Sequence, residues 1–187
     1  CTNAGHSACA AAVDLKVKDG KDKIRVSRDE KCVKSWLFDA ANARLPRVET
    51  LVIESKYGAT GDYQPYRQEA NQELQDIVSR TIARGGKLIC PVFAVGRSQE
   101  VMIAIDELFR SGNVKPVPVW LDGMIQEATA IHASHPDYLT SSLRKSLLKD
   151  DGENPFTSEW FRPVKGRELR ESIIMDNSPC IVLATSG

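Results

Sequence analysis

The sequence predicts an α/β protein in which about fifty β-rich residues precede a mostly parallel sheet covered by helices. Three observations carry this. Residues 11–27, "AAVDLKVKDGKDKIRVS", alternate apolar and polar side chains on both sides of an Asp-Gly, the pattern of a β-hairpin with one solvated face. Beyond Leu51, apolar runs of strand length alternate with segments of helical periodicity. Each of those runs then leaves into a turn with its own chemistry: Glu54 into "SKYG", Phe93 into "AVGRSQE", Leu121 into "DGM" and Ala184 into "TSG".

The elements follow in order. "LVIES" opens as a strand and delivers a carboxylate, Glu54, at its end. In "YRQEANQELQDIVSRTIARGG", Ala70, Leu74, Ile77, Val78 and Ile82 share one helical face, and Gly85-Gly86 supplies the C-terminal stop. "KLICPVF" is the next strand, and "SQEVMIAIDELFRSG" a helix that turns Val101, Ile105, Leu108 and Phe109 inward. "VPVWL" is a strand and "MIQEATAIHASH" a helix; another helix follows Pro136, and "CIVLA" is the last strand. Residues 149–167, "KDDGENPFTSEWFRPVKGR", read as an ordered loop packed by Phe156, Trp160 and Phe161. Strands and helices of this spacing require right-handed βαβ crossovers, a Rossmann-like arrangement. Its carboxyl edge, where helix N-termini and exposed amides gather, favours anionic ligands. None of the turns is GxGxxG or GxxxxGK[ST], so neither a dinucleotide site nor a P-loop is supported.

Composition narrows the function classes. Lysine plus arginine (25) balance aspartate plus glutamate (25), so any nucleic-acid contact has to be a local patch. The five cysteines, Cys1, Cys9, Cys32, Cys90 and Cys180, form no CxxC pair, which points to buried thiols in a reducing, cytoplasmic setting. No apolar run reaches the ~20 residues of a membrane span, so no membrane partner is expected. The chain begins at Cys1 and ends on a strand and a glycine turn, and is read as a fragment of a longer protein.

Six stretches in this order, "NAGH", "RVETLVIESKYG", "GGKLICPVFAVGRSQEVM", "VWLDGMIQEATAIHASHPDYL", "NPF" and "PCIVLATSG", resemble the metallo-β-lactamase/β-CASP ribonucleases, the archaeal cleavage and polyadenylation specificity factor-like endonucleases among them. The resemblance covers essentially the whole chain. It implies a C-terminal part of a metallo-β-lactamase domain at 1–58 and an incomplete, Rossmann-like β-CASP domain at 59–187. It further implies hydrolysis of phosphodiester bonds in single-stranded RNA, of the mRNA 3′-end processing or RNA decay type, in a cleft holding two zinc ions, and it admits a homodimer of the parent protein.

Residue by residue, the resemblance places His6 of "NAGH" as a zinc-binding histidine and Asp29 of "VSRDEK" as the carboxylate bridging two metals. Both side chains are ordinary zinc ligands, and a bridged metal pair forms hydroxide near neutral pH. Glu54 matches an acidic residue that orients a histidine for catalysis. Arg97 and Lys56 are the candidate RNA contacts, Arg97 as a phosphate grip at the start of a helix. The departures are specific. Arg28 stands where a glycine usually precedes the bridging aspartate, "SACAAA" follows His6 in place of an aliphatic-glycine pattern, and Lys56 replaces a common threonine. The His-x-His-x-Asp-His motif and the later histidine motifs are not in this sequence, and two ligands cannot hold two zinc ions. The polypeptide by itself is therefore expected to be inactive.

Plainer readings stand beside these. His6 also reads as a loop histidine, Asp29 as a turn residue, and Arg97 as a helix-capping or salt-bridged arginine. His132 and His135 of "HASH" are read as core or helix-end histidines, since no third metal ligand converges on them. The alternative function is a non-catalytic homologue serving as RNA-binding or scaffold subunit; a nucleotide-binding Rossmann module ranks below both.

Overall fold

A computed structural model describes residues 2–3 (backbone only), 10–17, 22–27, 31, 33–41, 47–148 and 154–185. The chain divides into two compact units, 1–64 with 137–143 and 65–136 with 144–187.

In the first unit, strands β1 (Thr2–Asn3), β2 (Ala11–Lys16), β3 (Lys23–Ser27) and β4 (Thr50–Ile53) form one sheet in that order. The predicted hairpin is present: β2 and β3 pair antiparallel with Val13 opposite Val26 and Leu15 opposite Ile24. Its solvated face is the unexpected one. Val13, Leu15 and Val26 are 39 to 50% exposed, whereas Arg25 and Ser27 on the opposite face are buried. Arg25 answers burial with an ion pair to Asp14 across the strands at 3.2 Å. Alternation announced a two-faced strand pair but not which face is covered. A short segment, 33–41, contributes the buried Leu37 and Phe38, and Thr140 fastens to it through its N–H to the Leu37 carbonyl and its hydroxyl to that of Trp36.

The second unit is the expected parallel sheet. Its strands β5 (Lys87–Pro91), β6 (Val119–Asp122), β7 (Phe161–Pro163) and β8 (Cys180–Ala184) lie in the order β5-β8-β6-β7, with every pairing parallel. Helix α1 (Arg67–Ala83) precedes β5. It ends where two glycines demanded: Gly85 takes φ +69°, its N–H reaches the Ile82 carbonyl, and the Gly86 N–H reaches that of Thr81. These are the two bonds of a Schellman stop, and only glycine takes that φ without strain. Helix α2 (Arg97–Arg110) crosses from β5 to β6, and α3 (Ile125–Ser134) follows β6. A 3-10 turn (Pro136–Tyr138) leads to α4 (Ser141–Leu148), and α5 (Gly166–Met175) joins β7 to β8.

The core forms where α2 and α3 cover the sheet. Met102, Ile105, Leu108 and Phe109 of α2 and Ile125 of α3 are buried, as are Val119, Leu121, Ile181 and Leu183 of the strands. At about 1.5–3 kcal/mol per buried aliphatic side chain, this cluster is the main favourable term of the unit. Residues 154–160 form the ordered loop expected there: Phe156 is buried, and Trp160 meets Phe109 edge-to-face at 5.5 Å. Two elements went unforeseen. β7 is a three-residue strand containing a proline, too short to show an alternation, and α5 follows it directly.

Candidate nucleic-acid interface

The carboxyl ends of β5, β8, β6 and β7 lie along one edge of the second unit's sheet. The exits are stitched to one another by backbone. The Val92 N–H donates to the Ala184 carbonyl, that of Thr185 to Asp122, and that of Val164 to Leu121. Glu54 does not belong to this edge, contrary to the expectation that all four turns share it. β4 pairs with β3, so Glu54 leaves the sheet of the first unit.

The turn after β5 is the most elaborate. Ser98 N–H donates to the Phe93 carbonyl, Arg97 N–H to that of Val95, and the Ser98 hydroxyl to that of Ala94 at 2.7 Å. Gly96, at φ +82°, gives its N–H to Gln99 Oε1 at 2.7 Å. The amides of residues 96, 97 and 98 are thus spent inside the turn, which corrects the expectation that they are open to an anion. What the turn does present is side chain. Arg97 is 62% exposed, and its Nη1 stands 3.7 Å from Glu100 Oε2, too long for a hydrogen bond, with the Glu100 side chain itself 16% exposed. Phe93 is 74% exposed, with Val95 and Met124 also facing solvent.

At the end of β6, Asp122 receives both arms of Arg170 from α5. The hydrogen bond from Arg170, reinforced by its charge, holds the Asp122 carboxyl below the usual carboxylate range against the opposing effect of burial. Next to it, Gly123 adopts φ +86°, and a Cβ there would collide with Thr185 Oγ1. The edge is therefore closed by contact at Gly123 and Thr185, and open at Phe93, Val95 and Arg97.

In the first unit, Glu54 and Lys56 share a small turn. Glu54 Oε2 accepts the Lys56 N–H at 2.7 Å, and the Gly58 N–H reaches the Ser55 carbonyl. Lys56 Nζ lies 5.8 Å from the centre of the Tyr57 ring, and all three side chains are exposed. His6 and Asp29 lie outside the described residues. The strand termini that bracket them are described: Asn3 pairs with Ala11, β2 runs antiparallel to β3, and β3 runs parallel to β4. The ends of β1, β3 and β4 consequently lie at one end of the sheet. Among the described residues, no group of three histidine, cysteine, aspartate or glutamate side chains could hold a metal ion.

Among the described residues, Cys90, Cys180 and His132 are structural. Burial raises the thiol pKa of Cys90 and of Cys180, so neither is activated as a nucleophile. His132 is buried with Nδ1 2.7 Å from the Ala128 carbonyl of its own helix, in keeping with a core histidine. Two residues of the β5 turn escaped the sequence reading. Phe93 looked like the last core residue of a strand, while Gln99 stands three residues after Gly96 in the spacing of a capping box, a signal that could have found it.

Residues 98–187 match the Beta-Casp domain. The chain is 49% identical over 185 residues to the transcription termination factor FttA of Methanosarcina mazei, 46% to that of Pyrococcus horikoshii and 43% to that of Thermococcus kodakarensis, in each case across 99% of this chain. The stretch 98–187 is thus similar to a β-CASP domain. The chain spans 28 to 29% of the length of these relatives. The β-CASP match begins one residue after Arg97, so most of α2 and everything from β6 to β8 fall inside it, whereas Glu54 and Lys56 lie outside. No helix among the described residues is long and apolar enough to cross a membrane.

Proposed function

We propose that this chain is the substrate-gripping part of a β-CASP factor that binds and processes single-stranded RNA in transcription termination, with Arg97 holding a backbone phosphate and Phe93 offering a face to an unpaired base. The observation that carries the reading is the β5 turn. It spends its own amides on internal bonds and leaves one cation and one aromatic ring in solvent on a rigid sheet edge. Arginine suits a phosphate through its planar fork of donors, and base stacking on an aromatic ring requires no particular sequence. The termination-factor names of the relatives supply the RNA context. With no excess of positive charge on the chain, affinity rests on few such contacts, and Lys56 of the first unit is a separate candidate for one.

Phosphodiester hydrolysis belongs to this proposal at one remove. Two zinc ions would supply hydroxide and charge stabilisation. The described residues do not fit them: they contain no three-ligand cluster, and His6 with Asp29 amounts to two donors where zinc needs three or four. Glu54 enters as a supporting carboxylate just after β4, at the end of the sheet where β1 and β3 also finish.

The test is Arg97→Ala in the full-length protein, with binding of a fluorescent single-stranded RNA followed over a salt series. Affinity is expected to fall about tenfold and the slope of log K against log salt to drop by about 1, at unchanged zinc content. An unchanged slope would assign Arg97 to surface pairing with Glu100.

A further inference from the structure

We infer that Gln99 is a positioning residue: its buried amide fixes the β5 turn so that Arg97 meets RNA phosphate without first being ordered. This rests on the RNA reading above. Gln99 is 0% exposed although polar, and its amide is fully engaged. Oε1 accepts the Gly96 N–H at 2.7 Å, and Nε2 donates to the Ala94 carbonyl at 3.1 Å and to Thr129 Oγ1 at 2.9 Å, with the Ile125 carbonyl at 3.5 Å. These partners settle which end of the amide is which, since an N–H faces one end and carbonyls the other. Thr129 is held in turn, its hydroxyl donating to the Ile125 carbonyl at 2.7 Å. One side chain on α2 therefore bolts residues 94 and 96 of the turn to the first turns of α3.

Capping α2 accounts for only half of this arrangement. A helix N-terminus leaves several amides without intrahelical acceptors, and the bond from the Gly96 N–H to Gln99 Oε1 is the one a capping box supplies from the third helical position. Here the cap position is a glycine at positive φ, the acceptor is buried, and the donor half of the same amide reaches across to another helix. Glycine is the most mobile residue to place next to a substrate-gripping arginine, and ordering it at the moment of binding would cost affinity. Gln99 removes that freedom in advance. It also keeps the Gly96 N–H away from the anion, leaving the grip to the Arg97 side chain.

The experiment is a double-mutant cycle in the full-length protein with Gln99→Leu, Arg97→Ala and the pair, read by RNA dissociation constant and by hydrogen–deuterium exchange of the segment 93–97. The expected result is that Gln99→Leu raises exchange there about tenfold and weakens RNA binding by a factor no larger than Arg97→Ala does, with the pair no weaker than Arg97→Ala alone. Turnover at saturating RNA should hold while KM rises. Thr129→Val, close to isosteric, is the second variant should Gln99→Leu fail to fold. It removes one acceptor of the amide and should shift exchange and affinity in the same directions by about threefold. Losses that add in the double mutant, or exchange unchanged in both variants, overturn the positioning role. If Arg97→Ala itself leaves RNA binding at the wild-type level, the RNA reading fails, and the exchange data then report only whether Gln99 holds the turn.

Discussion

Arg170 closes on Asp122 with two parallel hydrogen bonds, Nε to Oδ2 at 2.9 Å and Nη2 to Oδ1 at 2.7 Å, pinning α5 to the carboxyl end of β6. The pair joins elements that are 48 residues apart in sequence, at a strand end where the backbone turns through a left-handed glycine. Fork-to-fork geometry makes it more than a chance surface contact, although half of the Arg170 side chain remains in water.

The pair predicts a pH dependence. Because Arg170 depresses the Asp122 pKa in the folded state, its contribution to stability is complete above the unfolded-state value of about 4 and is lost as pH falls through the lower folded value. Arg170→Met should lower the melting temperature at neutral pH, and the gap from wild type should narrow below about pH 4 as both proteins lose the ionised carboxylate. Thermal unfolding at a few pH values checks this; a gap independent of pH would assign the loss to side-chain packing instead.

A second network predicts a larger effect. Asp106 on α2, only 6% exposed at its side chain, accepts from Arg110 Nε at 2.8 Å and from the Ser158 hydroxyl at 2.5 Å, while Arg110 Nη2 donates to that same hydroxyl at 2.9 Å. Arg110 also lies over the Trp160 ring at 5.6 Å. The three polar groups close a triangle that ties the 154–160 loop to the helix. Ser158→Ala should cost about 1–2 kcal/mol in urea unfolding, and Asp106→Ala more, because it takes the acceptor from the buried Ser158 hydroxyl and the ion pair from the half-exposed Arg110 together.

These two networks show where sequence reading stops. Helices α1 and α2, the strand "CIVLA" and the parallel sheet were legible because apolar spacing and glycine stops are local signals. The edge strand β7 was not, since three residues with a proline carry no period, and the Asp122 to Arg170 bond joins residues whose proximity exists only after β6, β7 and β8 assemble. The same holds for the hairpin. Alternation gave two faces, yet the buried one carries Arg25 and Ser27, a choice made by what covers the sheet and not by the strands. For the candidate site, Arg97 was legible as an exposed cation opening a helix, but the internal use of the turn's amides depends on Gln99 reaching backward.

Gly123 gives a third prediction. Its φ of +86° disfavours any side chain, and the missing Cβ position is already taken by Thr185 Oγ1. Gly123→Ala should therefore cost more than the ~1 kcal/mol of a positive φ alone, and adding Thr185→Gly should recover the excess but not that first portion. Urea midpoints of the single and double variants measure both parts. Full recovery in the double variant would mean that the backbone conformation itself is relaxed.

The last prediction separates charge from shape at Glu54. Its Oε2 accepts the Lys56 N–H at 2.7 Å, so the carboxylate shapes the turn that carries Lys56 and Tyr57 as well as offering a negative charge at the strand end. Glutamine keeps an oxygen acceptor at the same reach and removes only the charge, whereas alanine removes both. In the full-length protein, Glu54→Gln should leave RNA affinity and the turn intact and slow single-turnover cleavage by roughly 10²-fold, the scale of lost acid–base support. Glu54→Ala should slow cleavage at least as much and also weaken RNA binding, because Lys56 then sits on an unanchored turn. Should Glu54→Gln cleave at the wild-type rate while Glu54→Ala does not, the residue serves the turn alone, and the acid–base role belongs to another group.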